Sequence, residues 1–565
     1  MCKGGEQVKR KKVINARDPD RFLSGVFVFS VSTVIVKIIG LAYKIPMIAK
    51  LGAQGMGYFN SAAEIYAVLC VISTAGLPVA LSMLVSANRE SGKYFAIQRI
   101  DRAATALFLS LGATGTAVML VFAKPIAQSI GNTDAYLCIL AIAPALFFVC
   151  FSSAVRGYFQ GFQNMLPTAI SQLIEAIGKL LFGVWFASVA IDFGLSLPTV
   201  AAFAVLGLSL GTFLSALYLL LCKTFSRRRW RRELLVLDTQ DFFQEKEKSG
   251  YFSMLLKIAI PITVSSSVLS LTRLSDMALM MRRLQRIGVS VMEANVLYGA
   301  YTTLAVPVFS LIPSLITPIA LACVPQLSGA IEAGSRGGQV KVVAQSLRLT
   351  MLFSIPAAMG ISVYAEPILS LLFSGEHEAV AISSPLLAIL GLSIPFAGLI
   401  TTTNALLHSY RQTVKPILSM SIGAIVKIVS AYFLLGNPRI GVYGAPLSTL
   451  LCNWIVTGMN FAFLNRCVPC MGRREYAVQT YWKPLGASAL AILASLAAYL
   501  PMRNMFEQSI FPFLCATCVA IVVYGALLIL MGGLTKEDWM LLPMGSRIQQ
   551  KIENCKNKRI QIKDG

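Results

Sequence analysis

The sequence predicts an all-α integral membrane protein with about 14 transmembrane helices, and three observations carry that prediction. The 565-residue chain is 56% hydrophobic and only 13% charged, with a mean hydropathy of +0.69, whereas a soluble domain is roughly a quarter charged. Apolar runs of about 20 residues, enough for a helix to cross a roughly 30 Å hydrocarbon core, recur along nearly the whole chain. These runs are continuous rather than alternating, which excludes the short period-two strands of a membrane barrel.

The elements follow in order. Residues 1–21 are a basic, hydrophilic N-terminus, and the segment after them is long enough to span, so an uncleaved anchor is expected rather than a signal peptide. Hydropathy windows place spans near 22–43, 57–83, 103–123, 134–156, 167–190 and 197–222, an N-terminal six-helix bundle over 22–222. A charged linker, 223–251, mixes Arg227, Arg228, Arg229, Arg231 and Arg232 with Glu233, Asp238, Asp241, Glu245 and Glu247. It reads as a solvated hinge between bundles with an amphipathic stretch on the membrane surface. A C-terminal six-helix bundle over 252–466 has spans near 252–276, 295–322, 346–374, 382–408, 416–435 and 442–465. Two additional helices, 13 and 14, lie within 484–532, before a cytoplasmic tail over 533–565.

Basic residues in short loops set the expected orientation, because they resist translocation. Lys9, Arg10, Lys11 and Lys12, then Arg89, Lys93, Arg99 and Arg102, then the arginines after span 6 all fall on one side. With an even span count the tail lysines Lys551, Lys556 and Lys558 join them. Both termini are therefore expected in the cytoplasm. Arg282, Arg283 and Arg286 fall on the other side and are read as cavity or interface residues. The net charge of +23 and pI near 9.6 serve topology and attraction to anionic lipid heads, and no nucleic-acid partner is expected.

The two bundles read as a parallel repeat. Pro78 and Pro318 are 240 residues apart, Pro167 and Pro416 are 249 apart, and Lys179 and Lys427 are 248 apart. Six spans per block keep corresponding elements in the same orientation, with a cleft between blocks, as in secondary transporters. Ionisable residues within spans cost roughly 2.5–3.5 kcal/mol each at a helix centre even on lenient scales. The candidates for a polar cavity are Lys37, Glu64, Arg156, Glu175, Lys179, Arg273, Asp276 and Lys427. Glu175 with Lys179, and Arg273 with Asp276, stand at spacings that also permit simple neutralisation.

Enzymatic chemistry is not expected. The chain has two histidines, His377 in a loop between Glu376 and Glu378 and His408 at a helix end, and no phosphate-binding glycine-rich loop. No metal site is expected either. Of the twelve cysteines, Cys70, Cys138, Cys150, Cys222, Cys323 and Cys452 sit in apolar spans as small hydrophobes. The pairs Cys467/Cys470 and Cys515/Cys518 lack the further ligands that a zinc site needs.

Three stretches carry a family resemblance: IVKIIGLAYKI at 35–45, LGAQGMGYFNSAAEIY at 51–66 and RGYFQGFQNMLPTAISQLIE at 156–175. They are joined by TAGLPVALS at 74–82 and YGAYTTLAVPVFSLIPSLITPIALACVPQLS at 298–328. Over about 21–532 the chain resembles the multidrug/oligosaccharidyl-lipid/polysaccharide (MOP) exporter superfamily, in the branch of stage V sporulation protein B and the MurJ-like lipid II flippases. The resemblance implies a MATE/MurJ-like flippase that moves an undecaprenyl-pyrophosphate-linked sugar outward by alternating access, for peptidoglycan, spore cortex or polysaccharide synthesis. It also implies that helices 13 and 14 form a groove for the lipid tail. The implied partners are the lipid-linked glycan, membrane lipids and cell-wall synthesis proteins. The chain is expected to act as a monomer without a cofactor, driven by a coupling ion or by the membrane potential.

One departure matters. Gram-negative lipid II flippases resemble the chain at Lys37, where they carry arginine, but their paired helix-2 arginines align near Cys70 and Val71. That difference favours the Gram-positive sporulation and polysaccharide branch. Two rival functions are a cation-coupled multidrug exporter, which calls for acidic residues facing a cationic drug, and a non-transporting scaffold for envelope assembly, which needs no polar cleft.

Overall fold

The structure, a computed structural model, describes residues 19–91, 93–237, 251–468, 478–505 and 510–532. The basic N-terminus, the linker residues 238–250, Cys470 and the tail from 533 lie outside the described residues. Among the described residues the chain is helical, with no strand, and thirteen helical runs are long and apolar enough to cross a membrane. The first of these, Ser32–Arg89, is 58 residues long, which at 1.5 Å per residue is about 87 Å, far beyond one bilayer core. Its length and internal break fit two crossings. Helix α1 (Pro19–Thr74) breaks at Gly52, whose φ of 62° and ψ of 178° define a region essentially reserved for glycine.

The chain forms two compact units that divide at Gly299 and Ala300. In the first, α1 is followed by α2 (Leu77–Glu90), α3 (Tyr94–Val121), α4 (Ala123–Ser129), α5 (Tyr136–Gly161), α6 (Leu166–Asp192), α7 (Leu197–Leu237), α8 (Tyr251–Arg286) and α9 (Val291–Ala300). Helix α5 is the buried centre, with seventeen buried positions along its length. Helices α6 and α7 cross at glycines: a Cβ on Gly178 would lie 2.8 Å from Gly211 Cα, and one on Gly207 would lie 2.2 Å from Gly183 N. Small residues let the two backbones touch, as membrane helix pairs commonly do.

Two boundaries differ from the hydropathy reading. Helix α7 continues past 222 to Leu237, because Lys223 is not a linker residue but a buried one, its ammonium 2.7 Å from Asp101 on α3. Helix α8 runs to Arg286, so Arg282, Arg283 and Arg286 stand in its last turns rather than in a following loop. Gln285 of the same turn donates to Gly131 O at 2.7 Å, docking this helix end on the α4–α5 connection. A reciprocal amide pair lies close by in the chain: Asn132 donates to Asn295 Oδ1 at 2.7 Å, and Asn295 donates back at 3.1 Å. Asn132 also reaches Ser61 at 3.0 Å.

The second unit opens on a π-helical turn (Tyr301–Ala305) and continues with α10 (Val306–Glu332), α11 (Arg336–Val363), α12 (Ala365–Leu372), α13 (His377–Ser409), α14 (Val414–Leu435), α15 (Gly444–Cys467), α16 (Lys483–Met505) and α17 (Phe511–Leu530). His377 begins α13 instead of lying in the loop before it. Burial pushes the neighbouring Glu376 carboxyl up from its ordinary range. The last two helices are separate spans that pack on each other and on α11.

The units share a local signature. Among the described residues, the two non-glycines with left-handed φ are Gln163 (60°) and Arg411 (56°), 248 residues apart. Each closes its helix with the same pair of hydrogen bonds. Gln163 N–H donates to Gln160 O and Asn164 N–H to Phe159 O; Arg411 N–H donates to His408 O and Gln412 N–H to Leu407 O. This is the Schellman closure. Likewise the 28-residue helices α3 and α11 are each followed by a short helix opening Ala-Lys-Pro-Ile or Ala-Glu-Pro-Ile.

Candidate functional site: a charged cluster in the first unit

Three helices of the first unit, α1, α5 and α6, bring charged side chains together, and α7 adds a serine. Helix α6 carries Ser171, Glu175 and Lys179 at four-residue spacing, hence on one face. The glycine crossing holds that stretch against α7, since a Cβ on Gly211 would lie 2.8 Å from Lys179 N and 2.9 Å from Glu175 O. From α5, Arg156 Nη2 donates to Glu175 Oε2 at 2.9 Å and to Ser215 Oγ of α7 at 3.1 Å, while Nε donates to Ser171 Oγ at 2.9 Å. Arg156 and Glu175 therefore tie α5, α6 and α7 at one point.

Glu175 does not simply neutralise Lys179. The Lys179 ammonium stands 4.8 Å from the centre of the Tyr43 ring and 5.8 Å from that of Phe59, the two rings lying 6.0 Å apart on either side of the Gly52 break in α1. Such a cation–π contact is worth about 0.5–2 kcal/mol. It holds the half-buried ammonium in place, with Glu175 on the same helix face within electrostatic reach. Lys44, also from α1, lies within the electrostatic reach of both Lys179 and Glu64, and all three side chains are half-buried. Arg156, Lys44 and Lys179 against Glu64 and Glu175 leave one positive charge in excess.

Of the eight residues expected from sequence, the structure gathers Glu64, Arg156, Glu175 and Lys179 here. Lys37 is exposed on α1, Arg273 is exposed and Asp276 half-buried on α8, and Lys427 is half-buried on α14 in the second unit. Lys44, Tyr43 and Phe59 were not among the candidates. Lys44 sits at the end of a hydropathy window, where a lysine reads as an interfacial anchor; its signal is the seven-residue spacing from Lys37, which puts both on one helical face.

The second unit contributes an apolar cavity of about 480 Å³, within the size range of small-molecule sites. Its walls include Ile312 of α10, Phe353 and Pro356 of α11, Ile492 of α16, and Phe513 and Ile521 of α17. Two hydrogen bonds hold the walls: Tyr364 OH with Ser495 Oγ at 2.7 Å, and Tyr524 OH donating to Leu352 O at 2.7 Å.

Residues 22–330, more than half of the chain, match the model of the family described as polysaccharide biosynthesis protein. The chain belongs to that family. This polysaccharide biosynthesis family member also matches the MatE model over residues 297–433, which agrees with membership of the MOP superfamily. It is 26% identical to stage V sporulation protein B of Bacillus subtilis (strain 168), over 81% of this chain and 86% of that protein. It is 25% identical to the lipid II flippase MurJ of the same organism, over 72% of this chain and 76% of that one. Among solved structures, a lipid II flippase MurJ in an inward closed conformation superposes with a TM-score of 0.67 at 15% identity, covering 89% of this chain and 98% of that chain. An inward-facing multidrug resistance MATE transporter gives 0.60 at 15% identity, covering 76% and 98%. These superpositions establish the fold of this family member as MurJ/MATE-like, in agreement with the sequence reading.

Proposed function

We propose that this MOP-superfamily membrane protein is a flippase for an undecaprenyl-pyrophosphate-linked sugar, lipid II or a related polysaccharide precursor, working by alternating access. The observation that carries the reading is the interior cluster of the first unit, where Lys44 and Lys179 leave positive charge in excess. A pyrophosphate requires cations and donors away from bulk water, and a cationic drug is repelled there. The apolar cavity of the second unit suits a polyisoprenoid tail. The relatives, a sporulation protein and a lipid II flippase, support the same direction.

On this reading the termini and the basic ends near Arg89, Arg99 and Arg102 face the cytoplasm. The chain acts without a cofactor or metal and performs no covalent chemistry. Moving about two negative charges outward, down an inside-negative potential, releases roughly 4–5 kcal/mol per 100 mV, so the potential alone suffices as a driving force. The MatE match and MATE-like fold favour cation-coupled drug export as the second reading.

The deciding experiment measures the outer-leaflet pool of lipid-linked cell-wall precursor with an impermeant enzyme in cells depleted of their own flippase. Wild type is expected to restore the pool and Lys179→Gln, expressed to the same level, to leave it depleted. A well-expressed wild type that restores nothing sinks the lipid II assignment. Resistance to cationic drugs in the same cells would establish the second reading.

A further inference from the structure

The tie around Arg156 has a counterpart in the second unit. Ser171 and Ser419 are each the sixth residue of their helices, α6 from Leu166 and α14 from Val414. Each hydroxyl lies within hydrogen-bond distance of the carbonyl three residues earlier, Thr168 O at 2.8 Å and Pro416 O at 3.1 Å. The 248-residue interval that relates these serines also carries Arg156 to Asn404, Lys179 to Lys427 and Thr212 to Asn460. In the second unit Asn460 of α15 is fully buried. It donates to Asn404 Oδ1 at 2.8 Å and Thr403 Oγ1 at 3.0 Å on α13, and accepts from Ser419 of α14.

Three helices therefore meet at one polar node in each unit, through an arginine and a glutamate in the first and through neutral amides and hydroxyls in the second. The Arg156 and Glu175 side chains are partly buried, 14% and 31% exposed. Even for a fully buried ion pair a well-made neutral replacement is often no less stable, whereas removing one partner is costly, the cost falling with exposure. The second unit ties the corresponding three helices without charges, from a hub on α15 (Asn460) rather than on α13, and the Arg156 donors named above already serve Ser171, Glu175 and Ser215.

We infer that Arg156 and Glu175 are positioning residues, a pin that fixes the α6 face carrying Lys179, and that the transported anion is met by Lys179 rather than by Arg156. The inference rests on the flippase reading for the word anion, but the pin does not. The test transplants the second unit's residues into the full-length protein as Arg156→Asn, Glu175→Gly and Thr212→Asn. Melting temperature and restoration of the precursor pool are both measured.

Arg156→Asn alone is expected to lower the melting temperature by several degrees, because it strands Glu175. The triple variant is expected to regain it and to transport within about twofold of wild type. Lys179→Gln abolishes transport in either background with little change in melting. A triple variant that melts like wild type but transports about tenfold slower or worse overturns the inference, since the charge is then used on the ligand. If the triple variant does not fold, Arg156→Gln/Glu175→Gln is judged in the same way, and failure of both neutral sets to fold also overturns it. A wild type that moves no precursor defeats the flippase reading, while the melting comparison still decides the pin.

Discussion

Tyr43 holds a lysine with its ring while its own hydroxyl, buried, has no hydrogen-bond partner among the described residues. An unsatisfied buried hydroxyl costs about 1–3 kcal/mol. Tyr43→Phe is expected to keep transport and to leave the melting temperature unchanged or higher; a loss of several degrees would show that the hydroxyl is anchored. Tyr43→Leu removes the π face and, because the side chain is fully buried, also leaves a cavity, so it is expected both to weaken transport and to lower the melting temperature, unlike Tyr43→Phe. At the other end of the same bundle, Lys223 and Asp101 have side chains only 6% and 1% exposed. Lys223→Met removes the ammonium paired with a buried carboxylate and is expected to cost up to about 3–5 kcal/mol, most of it recovered in Lys223→Met/Asp101→Leu. A double-mutant cycle in detergent unfolding measures the recovery, and additive losses would contradict the pairing.

Between elements, the contacts that matter join residues distant in sequence. The Asn132–Asn295 pair bridges 163 residues and holds the α4–α5 connection to α9. Asn295→Leu leaves the buried Asn132 amide without its reciprocal partner, an expected loss of about 1–3 kcal/mol, to be read as a drop in melting temperature that Asn132→Leu in the same chain partly reverses. Gly207→Ala places a methyl 2.2 Å from Gly183 N, so α6 and α7 must separate. The expected result is a large fall in the monodisperse fraction on size exclusion, and an unaffected variant would mean that the crossing is looser than described. Helix existence, type and approximate length were legible from hydropathy, because membrane insertion demands long apolar runs. The ends of α7 and α8 were not, since hydropathy stops at the first charges and is blind to a lysine that finds its carboxylate on α3 or a glutamine that finds a turn carbonyl.

For the molecule as a whole, legibility divides the same way. Glu64, Arg156, Glu175 and Lys179 announced themselves as charges inside apolar runs, and the structure brings them together. What joins Lys179 to Tyr43 and Phe59 is the fold-back at Gly52, a tertiary fact with no local signature. The apolar cavity was equally invisible, because it arises only where α16 and α17 lie against α11; its expectation came from family resemblance. If that cavity takes the lipid tail, Ile521→Trp fills it and is expected to slow transfer of a long-chain precursor while sparing a short-chain analogue. Comparing the two substrates in proteoliposomes tests this, and equal slowing of both would remove the cavity from the transport path.

The matching left-handed closures at Gln163 and Arg411 bear on ancestry. A side chain in that conformation is disfavoured relative to glycine by about 1 kcal/mol or more, so two independent origins at one structural position are improbable. A gene half this size, duplicated in tandem, accounts for both at once. On the expected six spans per repeat, fusion required no inversion of either copy, and the node around Arg156, charged in the first unit and neutral in the second, marks where the two descendants then diverged.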